Sequence, residues 1–90
     1  MNLCIPRMKT TISKDYIYER LCNLKLGKIE KIIEIPLKND PTHKRVLFRT
    51  TIDNNDAAAK LIDHLKNKGG INFVYDAPWY WKIVTTNQKI

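Results

Sequence analysis

Cysteine, glycine and histidine are scarce in this chain, with two, three and two copies among 90 residues. Cys4 and Cys22 could form at most one bridge, which excludes a disulfide-dense secreted scaffold. His43 and His64 have no metal-binding spacing to each other or to the cysteines, so no metal and no other cofactor is expected. No apolar run approaches the roughly 20 residues that a membrane-spanning helix needs. The opening Met-Asn-Leu-Cys-Ile-Pro-Arg lacks a charged and then long apolar secretion pattern. An intracellular, non-membrane protein is the expectation.

Acidic residues are also outnumbered, nine against 16 lysines and arginines, for a net charge of +7. Such a balance favours a polyanionic partner, either nucleic acid or an acidic protein surface. The plainer alternative is a lysine-rich surface that only keeps the protein in solution. With 43% hydrophobic and 28% charged residues, the chain reads as one ordinary globular domain, 1–90, with a single modest core.

The most informative stretch runs from Lys44 to Asp53. Strand alternation puts Val46, Phe48, Thr50 and Ile52 on one face and Arg45, Leu47, Arg49 and Thr51 on the other. One face can pack on a core, and the other carries two guanidinium groups around one aliphatic residue. Residues 2 to 8 read as a first strand, closed by Pro6 and Arg7. Ser13 is a good N-cap for a helix carrying Ile17, Leu21 and Leu24 at helical period, with Gly27 as its C′ residue. Ile29 to Leu37 reads as a second strand with imperfect alternation, from a bulge or a two-sided apolar edge. Residues 38 to 43 read as a loop on turn chemistry. Asn54 or Asn55 caps a second helix, 56 to 68, with Ala58, Leu61, Ile62 and Leu65 inward and Gly69-Gly70 ending it. Ile71 to Tyr75 forms a fourth strand, Pro78 breaks the ladder, and Trp79 to Val84 is extended again.

The order strand, helix, strand, strand, helix, strand is an α+β, ferredoxin-like βαββαβ arrangement. It implies a four-stranded antiparallel sheet with two helices on one face and a short extra strand at the C-terminus. In that topology Cys4 and Leu47 are neighbours on the open face. This order, with Gly27-Lys28-Ile29 after the first helix, resembles the RNA-recognition motif over nearly the whole chain. More narrowly, Cys4-Ile5-Pro6-Arg7, Lys44-Arg45-Val46 and Tyr75-Asp-Ala-Pro-Trp-Tyr-Trp-Lys82 look like a subfamily of RRM-like proteins seen in large DNA viruses. The resemblance implies a cytoplasmic or nuclear location in an infected host cell, or a place in the virion. The family's base-stacking positions fall on Cys4, Arg45 and Leu47, none of them aromatic, and Lys44 replaces the glycine of its third-strand motif.

Two functions follow. The first is a non-enzymatic domain binding single-stranded RNA or DNA. It would use Arg7, Lys44, Arg45 and Arg49 on phosphates, Leu47 at the centre of the face, and Trp79, Trp81 and Lys82 as a stacking platform. The second is a protein-interaction module, self-associating or binding a viral partner, on a fold that has lost base stacking. For the tryptophans, the structural alternative is that one or both cap the core. For the cations, it is pairing with Glu30, Glu34 or other surface carboxylates. Catalysis is not expected. The ferredoxin-like shape is shared with acylphosphatases, but Pro6-Arg7-Met8-Lys9 lacks the glycines of a phosphate cradle, and no nucleophile sits beside a base.

Overall fold

A computed structural model describes residues 1–90, and its elements begin with strand β1 (Asn2–Lys9), helix α1 (Lys14–Cys22), strand β2 (Gly27–Leu37) and strand β3 (Asp40–Ile52). Helix α2 (Asp56–Lys68) and strands β4 (Ile71–Asp76) and β5 (Trp79–Thr85) complete the chain. The strands form one five-stranded antiparallel sheet in the order β2-β3-β1-β5-β4. The fold is α+β and close to the expected ferredoxin-like arrangement, with an additional strand at the C-terminus. That additional strand takes the place beside β1, with Leu3 opposite Thr85 and Cys4 opposite Val84. β4 is left as the outer edge. Their side chains explain the choice. β5 buries both Trp81 and Ile83, whereas β4 alternates Asn72, Val74 and Asp76 outward and so suits an edge.

Each helix begins at a capping side chain. Ser13 Oγ accepts from the Tyr16 amide at 3.2 Å, and Asn55 Oδ1 accepts from the Ala58 amide at 2.8 Å, so Asn55 and not Asn54 starts α2. α2 ends at Gly69, whose φ of 74° suits a residue without a side chain. α1 ends earlier than the sequence suggests, at Asn23, and Gly27 is not its C′ residue but the first residue of β2. A Cβ at Gly27 would come within 1.6 Å of the Thr51 carbonyl oxygen, so the close approach of β3 requires glycine there.

The segment 38 to 43 is mostly strand rather than loop. Leu37 pairs with Asp40, so only Lys38 and Asn39 make the turn. Asp40 Oδ1 accepts from both the Thr42 amide and the Thr42 hydroxyl, which organises the start of β3. Irregular registers fix the faces of the other strands. Between Ile5 and Met8 the pairing of β1 slips, which lets the strand continue to Lys9 and returns Met8 to the core. A second slip between Ile29 and Lys31 puts Ile29 and Ile32 inward and turns Ile33 and Ile35 to the opposite face. Both explanations for the uneven alternation of β2 therefore hold.

The core lies between the sheet and the helices. Leu3, Ile5, Val46, Phe48, Trp81 and Ile83 come from the central strands, and Ile17, Leu21 and Leu65 come from the helices. Thr50, also inward, donates its hydroxyl to the Lys28 carbonyl at 2.9 Å, so its burial leaves no unpaired group.

Candidate functional site

The face of the sheet away from the helices is built on one row. Ile33, Leu47, Cys4 and Val84 lie directly opposite one another across β2, β3, β1 and β5. Leu47 is only 3% exposed and Cys4 is also buried, and burial pushes the Cys4 thiol pKa up although Arg45 opposes the shift. The expected neighbours are in place, but Leu47 presents almost no surface to a ligand.

At one end of this row the chain closes over itself. The Thr86 amide donates to the Asn2 carbonyl, Asn2 Nδ2 donates to the Gln88 carbonyl, and Arg49 Nη1 reaches the Ile90 carbonyl at 2.9 Å. Arg49 Nε is also paired with Glu30 at 2.8 Å. The Thr51 hydroxyl and Arg49 together hold the Glu30 carboxyl below its usual range. Arg49, proposed from the sequence as a phosphate contact, is thus held by a carboxylate and by the C-terminal segment.

Lys44 requires a larger correction. It shares strand parity with Val46 and Phe48, so it points to the helix side and not to the open face. It is 7% exposed, and its Nζ lies 2.5 Å from both Glu34 Oε1 and the Ile12 carbonyl. There it ties the loop before α1 to the sheet. Trp81 is corrected for the same kind of reason. It is 4% exposed, stacked on Tyr75 at 4.0 Å between ring centroids, and belongs to the core.

The other end of the open face is free. Arg45 and Lys82 stand two residues before Leu47 and Val84 on parallel strands, so they flank β1 at the same level. Both are exposed, and neither joins any of the ion pairs of the molecule. One step further along, His43 and Tyr80 share this face, and Val74 of β4 lies opposite Tyr80.

Past Tyr80 the surface turns into a groove of about 690 Å³ at the mouth of the β4–β5 hairpin. Arg7, Met8 and Lys9 of β1 form one wall, Thr11, Ile12, Ser13 and Tyr16 form another, and Tyr75 with Trp79 to Trp81 forms the third. Trp79 is 63% exposed and Tyr80 is 56% exposed. Behind them the rings brace one another. Tyr16 meets both Tyr75 and Trp81 edge to face at 6.2 and 6.4 Å, and the Arg20 guanidinium lies 5.1 Å over the Tyr16 ring. Burial, then the neighbouring Tyr16 and Asp76, push the Tyr75 phenol up, so it stays protonated and uncharged.

No carboxylate lines this groove. Asp40 stands just behind it, 2.5 Å from Arg7 and 3.0 Å from His43 Nδ1. Hydrogen bonds from Thr42, with His43 and Arg7 nearby, bring the Asp40 carboxyl pKa down to about 2. Arg7 is therefore aimed by Asp40 while its side chain remains 60% exposed. The arrangement offers two open aromatic faces beside cations, which suits a flat or anionic ligand.

Sequence reasoning brought Arg7, Trp79, Arg45 and Lys82 into the neighbourhood but missed Lys9, His43, Tyr16, Tyr75 and Tyr80. Tyr75 shares the parity of Ile71 and Phe73, and Phe73 lies opposite Trp81, so a hairpin reading would have stacked Tyr75 near Trp81. Tyr16 and Arg20 are four apart on α1, the spacing that sets one over the other. Nothing in the composition marks His43. The molecule holds no cluster of potential ligands for a metal ion and no helix long and apolar enough to cross a membrane. Comparison with family models, curated proteins and solved structures gives no match to this chain.

Proposed function

We propose that this is a non-enzymatic, RRM-like domain that binds single-stranded nucleic acid, RNA or DNA, at the free end of its sheet. Bases stack on Trp79 and Tyr80, and the phosphates run past Arg7 and Lys9 in the groove and Arg45 and Lys82 on the sheet. The observation that carries this reading is the placement of two open aromatic rings beside Lys9, Arg45 and Lys82, which join no ion pair, and beside Arg7, which Asp40 pairs but leaves mostly exposed. A single strand needs both parts, a charged track for the backbone and flat surfaces for the bases. Each base on an aromatic ring contributes about 1–3 kcal/mol, so two rings reach useful affinity only with the added charge.

The binding route differs from that of an ordinary RNA-recognition motif. The central strands offer Cys4, Arg45 and Leu47 where aromatic rings would stand, and the aromatic surface has moved to the hairpin. Titration of the protein with eight-nucleotide oligouridine and oligothymidine, followed by tryptophan emission, tests the reading. Trp79 is the exposed indole, so binding should quench it, and affinity should fall steeply as salt rises. Trp79→Ala should lose about 1–3 kcal/mol of binding free energy. No binding at low salt, or binding indifferent to Trp79→Ala, refutes the proposal.

A further inference from the structure

The two edges of the sheet are unlike. The β2 edge carries a register slip beside Glu30, a proline at Pro36 that cannot donate to a ladder, and exposed Lys28 and Lys31. These features keep another strand from adding there. β4, reading Ile-Asn-Phe-Val-Tyr-Asp, has no lysine, no proline, and no slip before Val74. An open row of backbone amides and carbonyls beside β-branched and aromatic side chains is a template for one more strand.

A groove of about 460 Å³ runs along this edge beneath α2. Leu24, Leu61, Ile71 and Phe73 supply its apolar surface, while Lys60 and His64 stand on its wall and no acidic residue lines it. Lys60 is exposed and takes part in no ion pair. We propose that the edge of β4 accepts an extended acidic peptide segment of a partner protein as a sixth strand. Its backbone pairs along Ile71–Asp76, alternate apolar side chains enter the groove between Leu61 and Phe73, and a carboxylate meets Lys60 or His64. Charge selects this occupant over a second copy of the chain. A copy brings a net +7 of its own and sets its α2 lysines against these, whereas an acidic segment is attracted at both scales. This surface is separate from the one assigned to nucleic acid and does not depend on it.

The test is a titration of the isotope-labelled protein, by two-dimensional NMR, with an acetylated decapeptide of alternating valine and glutamate. Saturable shifts are expected, greatest at Ile71–Asp76 and at Lys60 to His64, with Kd on the order of 100 µM. The same peptide N-methylated at every residue should not bind, because neither of its edges can then donate to the ladder. Lys60→Glu, at an exposed site, should weaken binding about fivefold, as should a rise in salt. Absence of shifts at millimolar peptide, binding that survives N-methylation, or shifts centred on Trp79 overturns the proposal. Concentration-dependent changes at β4 without peptide would make the occupant a second copy and overturn it equally.

Discussion

The face of β3 and the mouth of the β4–β5 hairpin draw on the same kinds of residue and use them differently. On β3, Arg49 is held by Glu30 and by the Ile90 carbonyl, and Lys44 is turned inward onto Glu34. At the hairpin, Trp79, Tyr80 and Lys9 are exposed, and Asp40 aims Arg7 without burying it. A count of cations therefore overstates what a ligand can reach. The number that matters is how many remain after the protein has satisfied its own carboxylates and carbonyls.

The sharpest contrast is between the two tryptophans. Trp81→Ala removes a ring packed on Tyr75, Phe73 and Tyr16 and should cost about 3–5 kcal/mol in chemical denaturation. For a domain of ordinary stability that is a large share of the total. Trp79→Ala should stay within about 0.5 kcal/mol of the parent, because the ring stands mostly in solvent. Comparable losses from the two substitutions would break the distinction between core and site.

A smaller difference is expected between adjacent cations. Lys44→Ala leaves Glu34 and the Ile12 carbonyl without their shared donor and should cost about 2 kcal/mol. Arg45→Ala, with no partner to abandon, should leave the thermal midpoint unchanged while weakening oligonucleotide binding. The reverse pattern would place Arg45, and not Lys44, in the structure of the fold.

The smallest effect concerns acid. Asp40, with a folded pKa of about 2 against roughly 3.9 unfolded, stabilises the fold above the unfolded value. That contribution is lost as pH falls from about 4 through about 2, and Glu30, also lowered, acts in the same direction. In Asp40→Asn the thermal midpoint should depend less on pH across that window. A carboxyl titration of Asp40 centred near 4 would show that the Thr42 and Arg7 contacts do not persist in solution.

Local chemistry made much of the fold legible in the sequence. The alternation of Val46, Phe48 and Thr50 marks the buried face of β3, Ser13 marks one helix start and the pair Asn54-Asn55 the other, and Cys4 is correctly set beside Leu47. Elements whose position depends on distant partners were not legible. Pro78 reads as the end of a ladder, yet it stands in the tight turn of a hairpin whose second strand enters the sheet. Trp79 and Trp81 share a parity, but only Trp81 lies over the helices, because Trp79 opens β5 beyond the rim of the core. Lys44 reads as a phosphate contact beside Arg45 and Arg49 only when strand alternation, which sets it with Val46 and Phe48, is passed over.

The position of β5 bears on how the molecule is made. Of the five strands β1 leaves the ribosome first and β5 last, yet the two are neighbours in the sheet. Until then β4 has nothing to pair with, and the indole that fills one end of the interior is missing. The nascent domain holds β4 apart from the other three strands until the seven residues of β5 join it to β1.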